Sequence, residues 1–119
     1  RRRRQMLMDT LNQEVPKADV IVTNPTHLAI ALKYERGQMS APRVVAKGAR
    51  YNALRIREIA KKHDVPIVEN KPVARLLFKN CKVGMEIIPD LFAAVAEILA
   101  YVYRTNRYKY YMKGQRMVG

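Results

Sequence analysis

An α/β fold, a single small domain with a central sheet of about four strands surrounded by about four helices, is what this sequence predicts. Three observations lead there. Short apolar runs of strand length stand at 18–23 (ADVIVT, rich in β-branched residues), 28–34 (LAIALKY), 43–46 (RVVA) and 65–69 (VPIVE). Longer stretches with apolar residues at helical spacing lie between and after them. The chain has 119 residues, 49% of them hydrophobic, which is enough for one real core and leaves little room for two domains.

The elements follow in order. Arg1, Arg2, Arg3 and Arg4 precede Met6, Leu7, Met8 and Leu11, and residues 1–17 read as a basic helical arm that Pro16 closes. Residues 18–23 form a buried strand, and residues 28–34 a second one with Leu28, Ile30 and Leu32 on one face. Asn24-Pro25-Thr26-His27 between them is a turn. A polar loop over 35–41 contains Gly37 and leads through Pro42 to a short third strand over 43–46. Gly48 then precedes a helix over 49–63 with Ala49, Ala53, Ile56 and Ala60 as its buried stripe. Residues 65–69 make a fourth strand, placed at an edge or a strand start by Pro66. Pro72 suits the first turn of a short helix through Phe78, with one more turn over 80–82 before Gly84. Pro89 opens the last helix, whose stripe is Leu91, Val95, Ile98, Leu99 and Val102. Residues 106–119 are basic and Tyr-rich without periodicity and read as a flexible tail. The division expected is arm 1–17, folded domain 18–105 and tail 106–119.

Charge is the strongest compositional fact. Lys and Arg total 23 against 10 acids, a net +13, which favours an anionic partner: nucleic acid, acidic lipid or an acidic protein. The longest apolar stretch, 91–102, carries Glu97 and falls short of the roughly 20 residues a bilayer requires. Arg1–Arg4 is followed by no continuous apolar region of the kind a secretory leader has. A chain opening on Arg1 rather than Met reads as a fragment or a processed product. The single Cys81 has no internal partner and suits a reducing compartment. His27, His63 and Cys81 make no metal-ligand pattern, and neither a phosphate-binding loop nor a Ser-His-Asp set is present, so no metal, no cofactor and no turnover enzyme are expected. His63 falls at a helix end, where a cation suits the dipole.

The chemistry lies in Asn24-Pro25-Thr26-His27. By local preference alone this is a β-turn, with Asn first and Pro second in a type I arrangement. Pro25 also closes the ordinary route of asparagine breakdown, because it has no N–H to attack the side-chain carbonyl. The remaining intramolecular route runs the other way. The Asn24 amide nitrogen attacks its own backbone carbonyl, closes a succinimide and expels the prolyl nitrogen. A turn gripped by two buried strands can hold attacker and carbonyl together, an effect worth about 7–11 kcal/mol in favourable cases. Asn24 is then nucleophile, Pro25 leaving group, His27 proton shuttle and Thr26 the residue that orients the turn or meets the oxyanion.

Beyond the turn, residues 15–27 (VPKADVIVTNPTH), 39–49 (MSAPRVVAKGA), 54–60 (LRIREIA), 73–77 (VARLL) and 93–99 (AAVAEIL) resemble, in order and spacing, the FlhB/YscU family of type III secretion proteins, and its flagellar branch more than its injectisome branch. The resemblance implies a multi-span inner-membrane domain preceding Arg1, with this part at the cytoplasmic face of the bacterial inner membrane. It implies self-cleavage between Asn24 and Pro25, with the pieces staying associated through the sheet. It implies a switch of export specificity from rod and hook subunits to filament subunits. Its partners would be other export-apparatus proteins, exported flagellar subunits and the hook-length control protein. Cargo docking would fall on an exposed Ala41-Pro42 segment with Ala96 and Leu99 of the last helix, whose plainer role is core. A rival reading stays open: a basic nucleic-acid-binding or anionic-membrane-binding module, in which the turn is only structural. Arg50, Arg55, Arg57, Lys61, Lys62 and the Tyr108-Lys109-Tyr110-Tyr111 run speak for it, and the lack of a nucleic-acid-binding signature against it.

Overall fold

The computed structural model describes residues 2–106; Arg1 and the segment 107–119, with most of the expected tail and its tyrosine run, lie outside the described residues. Helix α1 (Arg2–Glu14) passes through a 3-10 turn (Val15–Lys17) into strand β1 (Val20–Asn24). Strands β2 (Leu28–Lys33) and β3 (Arg43–Ala49) follow, then helix α2 (Tyr51–Lys62), strand β4 (Ile67–Glu69) and helix α3 (Lys71–Asn80). A 3-10 turn (Pro89–Leu91) leads into the last helix, α4 (Phe92–Thr105). The sheet is mixed, in the order β3-β2-β1-β4: β1–β2 and β2–β3 are antiparallel, whereas β1–β4 is parallel.

The alternation in residues 28–33 sets the layering. Ile30 and Leu32 join Val20, Val22 and Val44 on one face, where Val73, Ala74 and Leu77 of α3 and Val95, Ile98, Leu99 and Val102 of α4 cover them. Ala29, Ala31 and Ala46 point to the other face with Ile21, under Ala53, Ile56, Ile59 and Ala60 of α2. Bulky residues on one side and alanines on the other let α2 approach the sheet closely. Leu11 and Val15 are buried in the α2-side cluster, so the second half of the expected arm packs against the domain.

Several boundaries differ from expectation, each for a tertiary reason. The third strand runs to Ala49 rather than ending at Ala46, and α2 begins at Tyr51 rather than Ala49. Gly48 is not a helix-start signal: it pairs with Ala29 inside the sheet, and a Cβ there would lie 2.6 Å from Asn52 Cβ. The stripe of α2 therefore takes Ile59 in place of Ala49. The extra helical turn over 80–82 is absent, since Cys81 is extended and caps α3. Lys47 supplies the reason, donating from Nζ to the Phe78 and Cys81 carbonyls at 2.8 Å each, where a helix end needs donors. The start of α3 is capped by Asn70, whose side chain accepts from Val73 N–H at 3.2 Å.

Tyr103 gives the fold an alkaline limit. Burial raises its pKa above 10.0, with the nearby Asp19 and Tyr34 adding to the rise. Up to that pH the phenol is neutral folded or unfolded, and it contributes no pH dependence. Above it the unfolded chain ionises first, so stability falls as pH rises. Melting temperatures between neutral pH and pH about 11 should decline less steeply in Tyr103→Phe than in the wild type; equal slopes would assign the alkaline loss to other groups.

Candidate functional site

The four-residue turn sits where β1 ends. Asn24 closes β1 and pairs with Leu28, the first residue of β2, so Pro25, Thr26 and His27 form the tip of a hairpin. The His27 N–H donates to the Asn24 carbonyl oxygen at 2.8 Å, the first-to-fourth hydrogen bond of a β-turn. Among the described residues only Arg50 and Asp64 besides glycines have positive φ, which rules out the turn types that need it and leaves the expected type I compatible.

That hydrogen bond bears on the expected chemistry, because the Asn24 carbonyl is the one that cyclisation would attack. Its oxygen already faces an N–H donor at the distance a developing oxyanion requires. The donor on that oxygen is the His27 backbone N–H rather than the Thr26 hydroxyl. The Thr26 hydroxyl is exposed and, among the described residues, makes no hydrogen bond; nor do the side chains of Asn24 and His27. Asn24 and Pro25 are half-buried and His27 is exposed, so the amide and the imidazole are free to rotate toward the bond.

The turn is fixed from outside as well. Upstream, the Asn70 N–H donates to the Thr23 carbonyl at 2.9 Å, and Thr23 is buried. Downstream, the Arg50 N–H donates to the His27 carbonyl at 2.9 Å, and Arg57 Nη1 donates to the Pro25 carbonyl at 2.9 Å. Arg50 has φ 53 and ψ −111, a conformation that residues with a Cβ adopt at a cost of about 1–3 kcal/mol. Arg57 meets the turn, whereas the sequence reading counted it only among the cations that favour the rival basic module. Its periodicity marks it as solvent-facing, and no local signal shows what it meets.

The docking residues are not gathered on one exposed surface. Ala41 is only 5% exposed and Leu99 4%, while Pro42 is half-buried and Ala96 exposed. Ala41-Pro42 is held down because the Ile87 N–H donates to the Pro42 carbonyl at 2.9 Å, and Ile87 belongs to the same cluster as Leu99. The expectation of an exposed Ala41-Pro42 segment is corrected accordingly. His63 does end α2, and Cys81 is free and buried. Among the described residues no group of His, Cys, Asp and Glu could hold a metal ion, and no helix is long and apolar enough to cross a membrane.

A mixed four-stranded sheet between helical layers thus carries an Asn-Pro hairpin at the end of a central strand. The FlhB HrpN YscU SpaS family model covers residues 1–102, and the chain belongs to that family. Within it, the chain is 54% identical over 109 residues to the flagellar biosynthetic protein FlhB of Bacillus subtilis, covering 92% of this chain and 30% of that protein. It spans less than a third of the length of the curated relatives it matches. The crystal structure of the cytoplasmic domain of FlhB from Shewanella putrefaciens superposes with TM-score 0.80 at 41% identity, over 86% of this chain and 78% of that one. An EscU C-terminal domain in which an asparagine is replaced by alanine superposes with TM-score 0.75 at 38% identity, over 78% of this chain and 93% of that one. In another EscU structure, of TM-score 0.74, 38% identity and coverage of 77% and 91%, the next residue, a proline, is replaced by alanine.

Proposed function

We propose that this chain is the cytoplasmic-face part of a flagellar type III export component and cuts its own backbone between Asn24 and Pro25. The observation that carries the reading is the scissile carbonyl, held in a surface turn at the end of a buried strand with the His27 N–H on its oxygen. In the reaction Asn24 Nδ2 bonds to the Asn24 carbonyl carbon, and charge builds on the oxygen that the N–H meets. The bond to Pro25 then breaks. One proton leaves Nδ2 and one arrives on the prolyl nitrogen, with the His27 imidazole carrying it. The products are residues 1–24 ending in a succinimide and residues 25–119 beginning with a free prolyl amine. Thr26 occupies the third position of the turn.

The larger role belongs to the whole protein. Cutting frees one end of the Pro25–His27 segment, which alters a surface offered to other export-apparatus proteins, exported subunits and the hook-length control protein. Export then passes from rod and hook subunits to filament subunits. A membrane domain in the same polypeptide anchors this part to the inner membrane. The flagellar relatives and the EscU variants altered at a consecutive asparagine and proline support the reading. The charge supports the rival module less than composition suggests, because Arg55 binds Glu58 at 2.7 Å and Arg57 binds the turn.

Asn24→Ala is the test. Intact mass under denaturing conditions should give two fragments for the wild type, with one water missing from the smaller while the ring stays closed. The variant should stay whole, and in the full-length protein it should lower filament-subunit export. A variant that is still cut rules out cyclisation, and filament export at the wild-type level rules out the switching role.

A further inference from the structure

One charged side chain grips the cleavage turn. Arg57 reaches from α2 to the Pro25 carbonyl, 32 residues away in sequence, at 2.9 Å. Among the described residues it has no carboxylate partner, whereas Arg55 on the same helix is paired with Glu58. It is half-buried, so its guanidinium is screened less than a surface charge would be.

We propose that Arg57 is the positioning residue for cleavage, holding the Pro25 peptide so that the His27 N–H stays on the scissile carbonyl. The inference rests on the self-cleavage reading above. Pro25 and Thr26 are the only links between the bond to be cut and the N–H that polarises it. The orientation of the Pro25 carbonyl therefore sets where His27 N points. The turn has a grip at each end of its downstream half: Arg57 on the Pro25 carbonyl and the Arg50 N–H on the His27 carbonyl. Without Arg57 the peptide between them can tip, and the hydrogen bond to Asn24 loses its alignment.

A second effect acts in the same direction. The carbonyl that Arg57 binds and the nitrogen that must leave belong to one residue, so a fixed positive charge stands beside the leaving group. Such a charge lowers the basicity of the departing amine, which makes it a better leaving group. A lysine would keep the charge but offer no planar fork to hold the carbonyl.

The experiment follows the uncut fraction over time by intact mass in wild type, Arg57→Gln, Arg57→Lys and Arg55→Gln, with melting temperatures measured alongside. Cleavage of Arg57→Gln should slow about tenfold or more, as expected for loss of a charge-assisted hydrogen bond. Arg57→Lys should fall between it and the wild type, and Arg55→Gln should cleave at the wild-type rate. Melting temperatures should stay close together. A wild-type rate in Arg57→Gln overturns the inference, as does a loss shared by Arg55→Gln, no recovery in Arg57→Lys, or slowing that follows a fallen melting temperature. An uncut wild-type chain overturns the cleavage reading itself and this inference with it.

Discussion

Gly48→Ala should lower the free energy of unfolding by about 2–3 kcal/mol, among the larger effects available to a single methyl group in this fold. The added Cβ would lie 2.6 Å from Asn52 Cβ, 2.9 Å from the Asn52 carbonyl carbon and 3.2 Å from Ala53 N. Two of those three atoms are backbone in the first turn of α2, so no side-chain rotation relieves the clash. Relief requires α2 to lift from a sheet face lined with alanines, where Ala53, Ile56 and Ala60 are fully buried. A urea midpoint that falls with an unchanged slope is the expected signature. An unchanged midpoint would mean that α2 can shift without loss, and that the alanine-lined contact is not tight. The substitution reaches the site too, because α2 and its first residues carry both Arg50 and Arg57.

His27→Ala should slow cleavage about a hundredfold or more, the usual size of a general acid–base contribution. It removes the imidazole but keeps the backbone N–H that meets the Asn24 carbonyl at 2.8 Å, so polarisation survives and only proton transfer is lost. The two contributions can therefore be separated. Residual cleavage should persist at a level that Asn24→Ala lacks. Cleavage at the wild-type rate in His27→Ala would pass the proton-transfer role to solvent and leave His27 with its backbone role alone.

Strands and the turn were legible because their signals are local. Asn-Pro between two apolar runs has few conformations open to it, and the alternation of Leu28, Ile30 and Leu32 with Ala29 and Ala31 encodes which face meets which layer. The misplaced boundaries come from residues whose reason is tertiary. Gly48 is a glycine because of Asn52 across the β3–α2 junction, and to a reader of sequence it looks like a helix boundary. Ala41 looks exposed in a loop flanked by Ser40 and Pro42, and it is buried where the Ile87 N–H bonds back to the neighbouring Pro42 carbonyl. Arg57 sits at an ordinary wet position of an amphipathic helix, and only the fold brings Pro25 to it. In the site, the residues proposed to supply chemistry are readable and the groups that hold the turn are not. The turn is held by a backbone N–H and a long-range contact, neither of which leaves a trace in residue identity.

The position of β1 has a consequence in mass action. It lies between β2 and β4, and Val20, Ile21 and Val22 are fully buried, yet the proposed cleavage would place it on a different polypeptide from either neighbour. Before the cut, an unfolded domain refolds alone at any dilution. Afterwards the folded state is a heterodimer, and its population depends on the concentration of both halves. The proposed cleavage would thus change the order of the refolding reaction from first to second. A cut domain pulled apart once, at low copy number, would seldom find its complement again.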